Sequence, residues 1–446
     1  MVVSKRINTL MNHAVIWRKA WPIILANAAV PLLGLVDTAV IGNIGSISQL
    51  GAIAFSAMIF SFVYWSFGFL RMATTGFTAQ AAGAHDEAEL RAILGRALLV
   101  STAIGLAIIV LQWPLARIAL ALLEGSSEVE SITRNYFTIR IWGAPATLSI
   151  FALTGCLIGL GCSRQLLLVQ VFLNGLNIVL DVLFAGVWGW GVEGIALGTV
   201  LAEWATVILA TVLVLRILRR RQTDSEAFWP WSRIACAEKM LHLMAANTDI
   251  LLRTLVLLFS FGWFINQSAR FGDATLGANH ILLQLVAFSA FFLDGYAFVV
   301  EALVGEALGA RRKQDWLGAV RRSTELAAIT ALVLALLIVC FGSFFIAVLT
   351  DITAVRVAAE DSLHWAALYV LLSFAAFQLD GIFIGATRTR EMRNASFASI
   401  IAFMLAWWWL VPPYGSDGLW CAFVIYVCVR ALALAAYYPR LLRALD

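Results

Sequence analysis

Apolar runs of about 20 residues recur along the whole chain, each long enough to cross roughly 30 Å of hydrocarbon as a helix. Short polar or charged segments separate them. About twelve runs can be counted, with cores near residues 21–41, 50–70, 94–113, 139–160, 166–187, 192–215, 251–268, 278–300, 319–340, 358–384, 395–411 and 419–438. Helices are required because lipid cannot satisfy backbone N–H and C=O groups, and spanning strands would show alternation over about ten residues instead. The pattern predicts an all-α membrane protein with about twelve transmembrane helices.

The pattern also repeats. Leu50-Gly51-Ala52 recurs as Leu276-Gly277-Ala278, Gly83-Ala84 as Gly309-Ala310, and Gly155 and Gly159 as Gly381 and Gly385, always at the interval that separates Gly83 from Gly309. A polar, charged stretch lies between the two copies. The expected organisation is a six-helix lobe over residues 1–215, a cytoplasmic connector over 216–242 and a second, pseudo-symmetric six-helix lobe over 243–446. An even number of spans per copy gives both lobes the same topology, which is a parallel repeat about an axis along the membrane normal. Two such bundles facing each other form a cleft that can open to one side at a time, as a transporter requires.

Composition agrees with a bilayer as the solvent: hydrophobic residues make up 62% of the chain and charged ones 13%. The net charge of +4 is dispersed among loops, which excludes a nucleic-acid face. Its distribution gives orientation instead. Lys5, Arg6, Arg18 and Lys19 precede the first span, and further clusters follow alternate spans at Arg91/Arg96, Arg164, Arg216–Arg221, Arg311–Lys313, Arg388–Arg393 and Arg440/Arg443. By the positive-inside rule both termini and the connector of this multi-pass protein are expected to be cytoplasmic. The basic start runs into a span without a small-residue cleavage pattern, so the first span is expected to stay. The six cysteines lack metal spacing and read as packing residues. No nucleotide-binding, nucleophile-elbow or zinc-protease motif is present, which points away from an enzyme and towards an ion gradient as the energy source, without a cofactor.

Ionisable side chains inside spans cost roughly 2.5–3.5 kcal/mol each on insertion scales, so they should face the bundle interior. Asp37 lies deep in the first span, just after Pro31 and Gly34, which weaken the helix; Pro22 offers a second bend. The competing reading is an acid near the outer end that caps the helix or reaches solvent. In the fifth span Asn174, Asn177 and Asp181 share one helical face, and in the sixth Thr199 and Glu203 sit one turn apart. Bringing Asp37, Asn177, Asp181 and Thr199 together gives two carboxylates, an amide and a hydroxyl. Two carboxylates in a low-dielectric site are stable together only with a proton or a cation between them, so the set suits H⁺ or Na⁺. A satisfied structural network between helices is the plainer alternative. At the repeat interval Asn177, Asp181 and Asp37 land on Phe403, Trp407 and Trp263, so this chemistry belongs to the first lobe. The second lobe has its own polar set, Asp249, Arg253, Asp294, Glu301, Gln378 and Asp380, in which Asp249 and Arg253 are expected to pair across one turn. Asp294, Gln378 and Asp380, with Asn174, Glu203 and Tyr64, are candidates to line the cleft, Tyr64 as part of an aromatic cluster with Phe60, Phe62 and Trp65. Trp17, Trp21, Trp113, Trp188 and Trp190 fit interfacial belts.

The segments Pro31-Leu32-Leu33-Gly34-Leu35-Val36-Asp37-Thr38, Arg71-Met72-Ala73-Thr74-Thr75-Gly76, Leu176-Asn177-Ile178-Val179-Leu180-Asp181, Asn247-Thr248-Asp249-Ile250-Leu251-Leu252-Arg253 and Leu379-Asp380-Gly381-Ile382-Phe383-Ile384-Gly385-Ala386-Thr387-Arg388 occur in order over nearly the whole chain. In them the sequence resembles the multidrug and toxic compound extrusion (MATE) family, specifically its DNA-damage-inducible, DinF-like branch. The resemblance implies twelve helices in a V-shaped, two-lobe antiporter that exchanges H⁺ or Na⁺ for amphipathic small molecules, often cationic drugs. It further implies that Asp37, Asn177, Asp181 and Thr199 form a cation site, and a monomer is expected. Gly42-Asn43 departs from the Gly-His that the branch often carries. A flippase for a lipid-linked intermediate is the alternative, but its cleft would need abundant Arg and Lys, whereas acids predominate in the first lobe.

Overall fold

A computed structural model describes residues 12–29, 36–38, 40–41, 45–121 and 126–443. Those residues are almost entirely helical and include no strand. The helices are α1 (His13–Ala28), α2 (Ile47–Ser66), α3 (Phe69–Gly83), α4 (Glu87–Val110), α5 (Gln112–Ala121), α6 (Ser127–Arg140), α7 (Ala144–Gly159), α8 (Ser163–Asp181), α9 (Gly191–Arg221), α10 (Trp231–Ile234), α11 (Ala237–Ser268), α12 (Asp273–Gly309), α13 (Lys313–Leu349), α14 (Thr353–Gly385) and α15 (Thr389–Arg443). Ten stretches among the described residues are long and apolar enough to cross a membrane, α2–α3 and α6–α7 each counting as one. Helix α15 is broken at Gly415, where φ is 57° and ψ −127°, shortly after Pro412 and Pro413, so it supplies two crossings. With the first span, seen as α1 and the helical residues 36–38 and 40–41, the count reaches the predicted twelve. Pro22 lies inside α1. Pro31 and Gly34 lie outside the described residues.

Internal contacts group the chain into two units, one formed by Leu25–Met244 and the other by the residues up to Ile24 together with Ala245–Asp446. The start of α1 thus packs with the second half of the sequence: Trp17 meets Tyr296 with ring centroids 6.4 Å apart, and a side chain on Gly295 would strike Ile24. Within the first unit, Leu90, Leu94, Leu153, Leu157, Val169 and Val214 form an apolar core. The second unit is centred on aromatic rings, where Phe423 stacks on Tyr369 at 4.8 Å and on Tyr426 at 6.0 Å. Apolar side chains such as Leu336, Val339 and Phe344 point outward from α13, as expected of a lipid-facing surface.

The repeat read from glycine spacing has a structural cause. In the first unit, Gly155 and Gly159 of α7 let that helix lie directly on the backbone of α3, and a Cβ on either would stand 2.5 Å from Arg71 O or 2.7 Å from Thr75 O. In the second unit, Gly381 and Gly385 of α14 press in the same way on the carbonyls of Ala297 and Glu301 in α12. Ala297 and Glu301 follow Arg71 and Thr75 at the interval that relates the glycines themselves. Helices in lipid gain little from hydrophobic association, so close backbone approach at small residues carries their packing. The same interval relates the left-handed turns, with His85 and Gly161 in one half matched by Arg311 and Thr387 in the other.

The connector is docked rather than free. Arg91 of α4, almost fully buried, donates twice to Asp224, at 3.0 and 2.8 Å, and once to Phe228 O. Arg221 pairs with Glu87, Arg233 with Asp86 and Glu226, and Lys239 with Glu89. Outside the membrane, hydrogen bonds from Arg91 hold the Asp224 carboxyl below its ordinary pKa of 3.8, and Glu226 and Asp86 raise that of Arg233.

Candidate functional site

The candidate ion site lies within the unit Leu25–Met244. Helix α8 presents Asn174, Asn177 and Asp181 on one buried face, because positions three, four and seven residues apart share a side of the helix. Asp181 ends the α-helical stretch, and residues Val182–Val187 continue as a π-helical turn, a local widening often found at functional sites. Helix α9 brings Thr199 up from the opposite side. The Asn177 amide donates to the Thr199 hydroxyl at 3.0 Å, and that hydroxyl donates to Ile195 O in the preceding turn. This leaves Asn177 Oδ1 buried with no hydrogen-bond partner.

Asp37 comes from the helical residues 36–38 of the first span and lies within hydrogen-bonding reach of Asp181. Neither oxygen of Asp181 receives a hydrogen bond from a protein donor, and Asp37 Oδ1 is likewise buried and unserved. Two facing carboxyls with three such oxygens between them form a place where one proton can be shared or a cation held between oxygens. Gly198 of α9 makes room for the arrangement, since a Cβ there would stand 2.6 Å from Asp181 Oδ1. Asn174 does not join the cluster. Its amide donates to Ala29 O at 3.2 Å, next to the last residue of α1. The oxygens brought together here are those of two carboxyls, an amide and a hydroxyl.

Glu203, proposed from sequence as a cleft residue, is instead held one turn along α9 by Arg140. Their bond is bidentate, with Arg140 Nη1 donating to Oε2 at 2.8 Å and Nη2 to Oε1 at 2.5 Å, and both side chains are buried. The Arg140 guanidinium also lies 5.2 Å from the ring centroids of Phe60 and Tyr64 and donates to the Tyr64 hydroxyl at 3.4 Å. Tyr64 and Phe60 are therefore buried supports of an ion pair, while their neighbours Phe62 and Trp65 point outward. Sequence reasoning missed Arg140 because it stands at the edge of a span, where a basic residue reads as an interfacial anchor. The aromatic cluster at 60–65 was the available signal.

The second unit corrects another expectation. Asp249 and Arg253 do not pair with each other: Asp249 accepts from Arg393 at 2.7 Å and from Thr389 at 3.0 Å, and Arg253 binds Asp380. Asp380, a cleft candidate from sequence, is bound by both Arg253 and Arg430. Asp294 is half-buried within charge reach of Arg253 and Arg430, and Gln378 is buried with both amide atoms unpaired. Where the repeat would place counterparts of Asp37 and Asp181, the indoles of Trp263 and Trp407 meet edge to face at 5.3 Å.

Two repeated six-span bundles, one of which brings the carboxyls of Asp37 and Asp181 together, have the architecture of a secondary transporter. The MatE family model matches the chain twice, over residues 22–183 and 249–408. The chain is 38% identical over 425 residues to DNA damage-inducible protein F of Escherichia coli, covering 95% of this chain and 92% of that one. It is 24% identical to a probable multidrug resistance protein NorM of Acinetobacter baylyi, over 89% of this chain and 86% of that one. The MATE transporter VcmN of Vibrio cholerae, in its bent form, superposes with a TM-score of 0.87 at 18% identity, covering 98% of each chain. The protein belongs to the MATE family of multidrug and toxic compound extrusion transporters.

Proposed function

We propose that this protein is an antiporter of a bacterial inner membrane, with its termini and connector cytoplasmic, that exports amphipathic organic compounds in exchange for H⁺ or Na⁺. The observation that carries the proposal is the facing pair of half-buried Asp37 and buried Asp181, beside Asn177 and Thr199, in which Asp37 Oδ1 and both Asp181 oxygens are buried without a protein donor. Such a pair changes its charge whenever it takes up or releases an ion. One elementary charge crossing 100 mV yields about 2.3 kcal/mol, which supports roughly a 50-fold substrate gradient. An antiporter captures that energy only if ion and substrate favour opposite conformations, so by linkage each lowers the other's affinity by the same factor. Three of the within-span arginines, Arg140, Arg253 and Arg430, are committed to carboxylates, which favours cationic or neutral cargo over a large anion.

The test is dye efflux from cells and dye affinity in detergent across pH and Na⁺, for the wild type, Asp37→Asn and Asp181→Asn. Asp37→Asn keeps the shape and removes the ionisable group, so it should insert normally and lose efflux. Full efflux by that variant, or wild-type dye affinity indifferent to both titrations, would remove the coupling role. A response to pH alone would identify the ion as H⁺.

A further inference from the structure

The Arg140–Glu203 pair has no counterpart in the proposed exchange, yet it adjoins the site. Thr199, which binds Asn177, and Glu203 are successive members of one face of α9, about 6 Å apart along the axis. Arg140 lies within direct charge reach of both Asp37 and Asp181. The titratable and charged groups around it are Asp37 of the first span, Tyr64 of α2, Tyr136 of its own α6, Asp181 of α8 and Glu203 of α9. Helix α7 contributes only the neutral Thr147. The cluster thus sets one permanent positive charge against three carboxyls.

Packing fixes the guanidinium tightly. Phe60 and Tyr64 line its faces, Glu203 takes two of its N–H groups, and Gly143 leaves no space for a side chain, since a Cβ there would stand 2.6 Å from Arg140 Nη1. An arginine held in this way cannot swing out to water when the coupling carboxyls change charge. Its field therefore acts on them in this arrangement, offset by the carboxylate of Glu203.

Resting on the coupling role proposed for Asp37 and Asp181, we propose that Arg140 is a positioning residue whose charge, partly cancelled by Glu203, sets how tightly the coupling carboxyls hold their ion. Removing the positive charge makes the site more negative, and removing the negative one makes it more positive. The two partners of one ion pair must therefore shift the ion dependence in opposite directions. A pair that only braced α6 against α9 would instead weaken the protein in the same direction whichever partner was lost.

The experiment measures dye efflux against pH and Na⁺ in proteoliposomes for Arg140→Gln, Arg140→Lys, Glu203→Gln and the double variant Arg140→Gln/Glu203→Gln. In general, one unit charge at about 10 Å in an effective dielectric near 20 changes ion affinity by about tenfold or more. Arg140→Gln should move half-maximal efflux to higher pH, or to lower Na⁺, by about that factor. Glu203→Gln should move it the opposite way, the double variant should return close to wild type, and Arg140→Lys should restore the wild-type profile. If Arg140→Gln fails to fold, comparing Glu203→Gln with the double variant isolates the same guanidinium charge. Shifts of the same sign, or no shift while Asp37→Asn remains inactive, overturn the role of Arg140 and leave the coupling site standing. Ion-dependent efflux by Asp37→Asn overturns the coupling site itself.

Discussion

Gly198→Ala tests whether the Asp181 carboxyl must lie against α9. The new Cβ would stand 2.6 Å from Asp181 Oδ1, 3.2 Å from Leu180 Cβ and 3.3 Å from Asp181 N. The first distance is untenable and the other two are tight, so the Asp181 carboxyl must turn off α9 or α8 and α9 must move apart locally, and either change disturbs the placing of that carboxyl in the site. Forcing one extra methyl into a packed site costs typically 1–3 kcal/mol. If that penalty falls on the ion-binding arrangement, ion-driven efflux drops by about 5- to 150-fold. Stability should hardly change, because alanine is a better helix former than glycine by roughly 1 kcal/mol and offsets much of the strain. Gly175→Ala supplies the control: it lies in α8 beside Asn174, a Cβ there meets nothing within 4 Å, and efflux should stay at the wild-type level. The assay is proton- or sodium-driven dye transport in proteoliposomes, with size-exclusion profiles to confirm that both variants fold. Full ion-driven transport by Gly198→Ala would refute the requirement for this contact.

Arg91→Ala should release the connector, making the bonds after Arg220 and Arg221 sensitive to brief trypsin treatment of inside-out vesicles. Because Asp224 keeps its charge to below the ordinary carboxylate range, its contribution is fully present above pH 3.8 and is lost only as pH falls through its lowered value, so wild-type protection should be constant between about pH 5 and 8. Rapid cleavage of the wild type, or no change in the variant, would contradict the docked connector. Single cysteine labels at residues 222–230 and near either terminus, in a background lacking the six native cysteines, should react only from the cytoplasmic side. Labelling of the connector from outside would overturn the orientation.

The sequence alone determined the lipid-spanning character, the number of crossings and the repeat. These rest on local quantities, namely the length of apolar runs and the recurrence of glycines where helix backbones touch. It also pointed to Asn177, Asp181 and Thr199, since polar residues on one face of an apolar helix have few places to go but inward. The ion partners were decided by tertiary structure. Asp249 and Arg253 are one turn apart, yet each binds a residue on another helix, Arg393 or Asp380, because the rotation of α11 points their side chains towards different neighbours. Arg140 and Glu203, 63 positions apart, meet only because α6 and α9 pack side by side. The first span illustrates the same limit: its apolar run is continuous in sequence, but the residues up to Ile24 pack with the second half of the chain and those from Leu25 with the first. Hydropathy records that a residue is buried in the bilayer, whereas its partner depends on helix rotation, crossing angle and distance in space, which residue spacing along one helix does not contain.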